Sequence, residues 1–160
     1  MEDDSELRSS RELALRILGS RSLSAGEVEK RLVRKGETEQ NAKEAVKWLE
    51  EIGLINDAEY ATMIVRHYSA KGYGLARIKD ELFRRGIQRD MWDDALSVLG
   101  EADAPDAAAR FLEKKLKGSG DKDDLRRAAD ALCRRGFSYE QARTAVANYV
   151  ESLGVELSVE

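Results

Sequence analysis

Three stretches of the chain end alike: Glu29-Lys30-Arg31-Leu32-Val33-Arg34-Lys35-Gly36, Asp80-Glu81-Leu82-Phe83-Arg84-Arg85-Gly86 and Asp130-Ala131-Leu132-Cys133-Arg134-Arg135-Gly136. The glycines recur at a spacing of 50 residues. Two basic residues precede each glycine, and Leu32, Leu82 or Leu132 stands four positions before it. Nine positions after it come Ala45, Ala95 or Ala145, each followed by Val46, Leu96 or Val146. Thirteen positions after it come Leu49, Leu99 or Tyr149. Self-similarity at a fixed period of this length is the mark of a repeat architecture. The chain reads as three homologous units.

Each unit carries helix signals in the same order. Ser24 with Glu27 forms a capping box, in which hydroxyl and carboxylate satisfy amides that the first turn leaves unpaired. Val28 and Leu32 then share a face at i, i+4 spacing, and Gly36 supplies a left-handed C′ residue to end the helix. Thr38 caps the next helix, with Ala42, Ala45, Val46 and Leu49 on one stripe, and Ser138 with Gln141 repeats the device in the third unit. Leading helices are expected at about 11–18, at about 57–70 from Asn56 and Glu59, and at about 105–117, where Pro105 suits an opening turn. Gly72-Tyr73-Gly74 reads as a tight link between helices, and Gly118-Ser119-Gly120 as a loop. No segment alternates like a strand. The expected fold is all-α, with three tandem three-helix repeats in a curved, elongated array.

The boundaries follow from the period: a flexible acidic N-terminus over 1–10, repeats over 11–56, 57–100 and 101–152, and a tail over 153–160. Residues 1–8 and the tail after Gly154 are expected to fray. Of 160 residues 36% are charged and 42% hydrophobic, enough for a core, but a thin one. No run of about 18 apolar residues suggests a membrane span. The N-terminus is acidic (Glu2, Asp3, Asp4, Glu6) and shows no basic start before an apolar stretch, so no signal peptide is expected. A cytoplasmic monomer is the expectation.

Little here suggests chemistry. Cys133 is the single cysteine and excludes an internal disulfide. It occupies the position of Val33 and Phe83, which predicts a small buried hydrophobe rather than a reactive thiol. His67 is the single histidine and reads as a surface or boundary side chain, not a general base. Asp93-Asp94 and Asp121-Lys122-Asp123-Asp124 are better read as helix-start acids than as a cation site. No catalytic role, cofactor or metal is assigned.

Net charge is −4 and the pI is near 5.3, against a generally basic nucleic-acid binder. The negative excess lies at the two ends, and the interior is balanced. Within that balance the cations cluster. Lys30, Arg31, Arg34 and Lys35 share one helix, Arg77, Lys79, Arg84 and Arg85 a second, and Arg126, Arg127, Arg134 and Arg135 a third. Cations in a last turn complement the helix dipole, which explains any one cluster. Recurrence in three units points further, to a stripe of charge facing a linear, periodic partner such as a nucleic acid or a protein filament.

The residues also resemble a known family, the RecX regulators of the bacterial recombinase RecA. The likeness runs over roughly 11–152 and includes Arg21, Ser24, Glu27, Leu32, Gly36, Leu49 and Ile55-Asn56-Asp57. It continues through Tyr60-Ala61, Arg66, Gly72-Tyr73-Gly74, Arg77-Ile78, Glu81-Leu82 and Arg85-Gly86-Ile87 to Arg134-Arg135-Gly136-Phe137-Ser138. The resemblance implies tandem three-helix repeats and a regulator rather than an enzyme. It implies binding to the RecA nucleoprotein filament in its groove, with suppression of ATPase, recombinase and coprotease activities. The basic residues of the three clusters, Lys79 apart, are the candidate partner contacts. Direct contact with DNA is expected to be weak, and a helical array that binds DNA without RecA is the alternative.

Overall fold

The computed structural model describes the backbone of residues 2–159 and the side chains of residues 4–154. Nine α-helices run through the described residues, with no strand among them: α1 Glu2–Leu18, α2 Ala25–Arg34, α3 Glu39–Glu51, α4 Asp57–Ala70, α5 Leu75–Arg84, α6 Trp92–Leu96, α7 Asp103–Leu116, α8 Lys122–Arg134 and α9 Tyr139–Val159. They form three triplets, α1–α3, α4–α6 and α7–α9.

The motif that defines the period has one conformation in all three places. Leu32, Leu82 and Leu132 are fully buried. Gly36, Gly86 and Gly136 have φ of +105°, +75° and +101°, the left-handed region that glycine occupies without penalty. The amide following each glycine then donates back to the carbonyl of the buried leucine, at 3.1 Å from Glu37, 3.0 Å from Ile87 and 3.1 Å from Phe137. That six-to-one bond is a Schellman ending, which satisfies a carbonyl the helix leaves orphaned.

The helix starts follow their caps. Ser24 accepts from the Glu27 amide at 3.0 Å while Glu27 accepts from the Ser24 amide at 3.1 Å. Thr38 caps α3 through the Asn41 amide, and Ser138 and Gln141 cap α9 reciprocally. In the second triplet Gln88 holds the corresponding position and makes no side-chain cap bond. There the third helix starts as a 3₁₀ turn over Arg89–Met91 and continues only as the five-residue α6. It is the shortest of the nine.

Helix extends further at both ends than the sequence signals marked. The acidic head is helical from Glu2, and α9 continues to Val159. Acidic residues in an opening turn complement the positive end of a helix dipole. The side chains of residues 1–3 and of the tail from 155 lie outside the described residues.

The chain divides into two compact units, one of Met1–Met63 with Leu82–Ala95, the other of Ile64–Glu81 with Leu96–Glu160. In the first, α1 and α2 both pack on α3 around Ala14, Leu18, Val28, Leu32, Val46 and Leu49. In the second, α7 and α8 both pack on α9 around Ala108, Leu112, Leu116, Ala128, Leu132 and Phe137. Alanine supplies three of the eleven buried residues of the first core and five of the nine of the second.

One seam geometry occurs in each unit. In the first, the Ser24 hydroxyl donates to the Arg85 carbonyl, and a Cβ on Gly26 would stand 3.2 Å from the Gly86 carbonyl oxygen. In the second, the Gly74 amide donates to the Arg135 carbonyl at 2.8 Å and Ala76 to the Gly136 carbonyl at 3.1 Å. The start of one triplet's middle helix thus sits on the glycine turn that ends the next triplet's middle helix.

Candidate functional site

The seam assigns different work to basic residues that look equivalent in sequence. Arg85 donates from Nη1 to the Tyr60 hydroxyl at 2.9 Å and lies over the Tyr60 ring. Burial pushes the Tyr60 phenol above its ordinary pKa, and the Arg85 hydrogen bond opposes that shift. Arg135 donates to the carbonyls of Gly72 at 3.1 Å and Lys71 at 2.8 Å. Its guanidinium lies 4.2 Å from the Tyr73 ring centroid and 5.0 Å from that of Phe111. Arg77 pairs with the buried Glu81 at 3.0 Å and lies over Tyr73. These three arginines brace the fold around them.

The remaining candidates point outward. Lys30, Arg34, Lys35, Arg84, Arg126, Arg127 and Arg134 are exposed, and Arg31 is half-buried. Arg126 pairs with Asp123 at 3.3 Å, an exposed contact of small energetic weight. Cys133 is exposed, which corrects the expected burial. Its counterparts Val33 and Phe83 are exposed at 40% and 67%, so the positional equivalence holds while the inference from it fails. The residue after the buried leucine is turned about 100° round the helix, toward solvent. His67 is exposed and packs edge-on against Tyr68.

Two concave basic surfaces emerge, one in each unit. The first is a cleft of about 560 Å³ between α1 and α2, where Arg31, Arg34 and Lys35 meet Arg16 and Arg21 over Leu13 and Ile17. The second, about 470 Å³, gathers Arg135 with Lys71, Arg110, Lys114 and Lys115 around Phe111. Among the described residues no acid lines either cleft. Sequence reading found the cations of the middle helices and missed those of the leading helices. Arg16 follows Leu13 by three positions on the apolar margin of α1, and a helical wheel drawn for α1 would have placed it there.

A family model described as the second three-helix domain of RecX matches residues 56–96. The regulatory protein RecX of Halorhodospira halophila is 33% identical over 141 residues, spanning 86% of each chain. That of Chromohalobacter salexigens is 33% identical over 147 residues, 89% of this chain and 93% of its own. The crystal structure of RecX from Lactobacillus salivarius matches with a TM-score of 0.80 at 23% identity, over 91% of this chain and 97% of that one, a likeness of fold.

Proposed function

Because the chain belongs to the RecX family, we propose that it binds the RecA–DNA filament in its groove and modulates RecA, mainly by inhibiting its ATPase, recombinase and coprotease activities. It acts as a cytoplasmic, monomeric regulator rather than an enzyme, and so tunes DNA repair and the SOS response. The observation that carries this reading is one-third identity to RecX regulatory proteins over most of both chains. The outward-pointing cations Lys30, Arg31, Arg34, Lys35, Arg84, Arg126, Arg127 and Arg134 are the proposed filament contacts, with Arg77, Arg85 and Arg135 holding the surface in shape.

The test is ATP hydrolysis by RecA on single-stranded DNA, titrated with this protein. A bound regulator that blocks growth or bridges turns affects many protomers, so half-inhibition is expected well below one regulator per RecA protomer. Inhibition that appears only at equimolar ratios or above indicates competition for DNA and overturns the filament reading. The two acid-free basic clefts support a second reading, a helical array that binds DNA on its own.

A further inference from the structure

The first and third triplets are alike enough for one to serve as a template for the other. α1 and α7 end in the same way. Gly19 and Lys117 follow them with φ of +56° and +50°, and their amides donate to the carbonyls of Leu15 and Glu113 at 3.0 and 3.1 Å. Ser10, Ala14 and Leu18 of α1 then correspond to Ala108, Leu112 and Leu116 of α7, and all six are buried. On that register Arg11 corresponds to Ala109, and on twice the fifty-residue period Trp48 corresponds to Asn148.

In the first triplet these two positions cover the junction of α1 with α3. Trp48 packs on the core, the Arg11 guanidinium lies 5.0 Å from the centroid of its ring, and Arg11 Nε is buried. In the third triplet both side chains are smaller, and a groove of about 410 Å³ opens between α7 and α9. Ala109 and Asn148 line it, with Pro105, Ala108 and Ala145. Tyr149 also lines it, and its hydroxyl is held by donation to the Ser119 carbonyl at 3.1 Å. The volume falls in the range of ligand sites, about 300–1,000 Å³.

The charge of the rim says what else the occupant carries. Glu113 and Glu140 line the groove, both exposed, and among the described residues no cation does. In the first triplet the corresponding places hold Leu15 and Gln40. The third triplet thus lacks the guanidinium of the first and gains two carboxylates. Such a rim repels phosphates and attracts an ammonium or guanidinium group. A small-residue floor leaves room for a flat ring, the side-chain type that removes most apolar surface from water, roughly 150–250 Å².

We infer that this groove docks a segment of a partner protein in which an aromatic side chain stands beside a cationic one. The ring takes the place that Trp48 holds in the first triplet, and the cation meets Glu113 and Glu140. One helical turn presents such a pair at i, i+4 spacing. The groove shares no lining residue with either basic cleft, and the inference does not depend on RecA.

The probe is the capped peptide acetyl-Ala-Trp-Ala-Ala-Ala-Arg-Ala-amide, titrated into the isotopically labelled full chain and followed by amide NMR. Saturable shifts centred on Ala108, Ala109, Thr144 and Asn148 are expected, with a Kd of about 1 mM or tighter. Ala109→Arg with Asn148→Trp builds the pair of the first triplet into the third, and both positions are exposed. With the groove filled in this way, binding should weaken at least about tenfold. Glu113→Gln with Glu140→Gln leaves the groove open and should weaken binding about fivefold, as should glutamate in place of the peptide's arginine. Far-UV ellipticity verifies folding, and the glutamine pair decides the matter if the filled variant does not fold. Absence of saturable shifts in that range overturns the inference, as do shifts centred elsewhere. Unchanged binding by either variant, or equal affinity for the glutamate peptide, overturns it too. Sedimentation that shows a wild-type dimer, lost in the filled variant, would place a second copy in the groove, and the assignment to a partner of another sequence would be wrong.

Discussion

At Gly74 the chain has no room for a side chain, for a reason unrelated to the backbone angles that usually call for glycine. A Cβ there would stand 2.5 Å from the Gly136 carbonyl carbon and 2.5 Å from the Phe137 nitrogen, both backbone atoms that cannot swing aside. Gly74→Ala is therefore expected to cost about 3 kcal/mol, the upper end of overpacking penalties, read as a shift of the urea midpoint. Gly154→Ala is the matched control. It lies within α9 with nothing within 4 Å of the place a Cβ would take, and should gain about 0.5–1 kcal/mol from helix propensity alone. A mild Gly74→Ala would show that the seam yields. Sequence alone marked Gly74 as part of a tight link, since a glycine pair around tyrosine signals a turn. It could not show the opposing Gly136 turn, because that contact joins residues far apart in the chain. The same blindness applied to Arg85 and Arg135, whose ring and carbonyl partners come from distant parts of the chain.

Helix endings were legible because capping chemistry is local: the hydroxyl, the carboxylate three residues on and the terminal glycine all lie within one short stretch of chain. The exception tests the rule. Gln88 has φ −65° and ψ 143°, the extended geometry of an N-cap, close to the −69° and 155° of Thr38, yet it supplies no cap bond. Gln88→Thr should add about 0.5–2 kcal/mol and raise helical ellipticity as the 3₁₀ turn over Arg89–Met91 becomes α-helical. An unchanged midpoint would mean that something other than the missing cap limits α6. At the start of α4, Asp57 accepts the Ala25 amide through Oδ1 at 2.9 Å and so ties α4 to the first turn of α2. Burial pushes the Asp57 carboxyl above its ordinary range, the Ala25 amide opposes this, and Glu27 adds to it. Glu50 is raised as well, by burial and then by Asp57. A carboxyl raised on folding stabilises in its protonated form: the contribution is complete below the unfolded value of about 4 and is lost as pH rises through the higher folded value. Asp57→Asn keeps an Oδ1 acceptor and removes the charge. It should match or exceed the wild type in urea midpoint at pH 7, with the difference shrinking as pH falls toward 4. A variant weaker than wild type at pH 7 would show that the ionised form serves the fold.

Over the whole molecule the period predicted three repeats, and the helix triplets follow it, whereas the compact units cut across it within α4 and α5. Periodicity reports which segments are alike; it carries no information about which segment packs on which. The division has a thermodynamic consequence, because α4 gives its residues up to Met63 to one unit and those from Ile64 to the other, and α5 divides before Leu82 in the same way. An isolated helix shorter than about 12–15 residues is marginal in water, so neither half of the fourteen-residue α4 should persist once the other half has melted. The shared helices should therefore make unfolding a single cooperative event. The chain offers convenient probes: Trp48 and Trp92 both belong to the first unit, while ellipticity reports all nine helices. Leu132→Ala empties a fully buried site in the second unit and should cost roughly 2–5 kcal/mol. For a chain of this size that corresponds to a loss of about 5–15 °C in Tm. The tryptophan fluorescence midpoint is expected to fall with the ellipticity midpoint, although neither indole lies in the unit that was altered. A fluorescence transition that stays at the wild-type temperature, beside an ellipticity curve split in two, would mean that the helices can break at Met63 and Leu82 and that each unit melts alone.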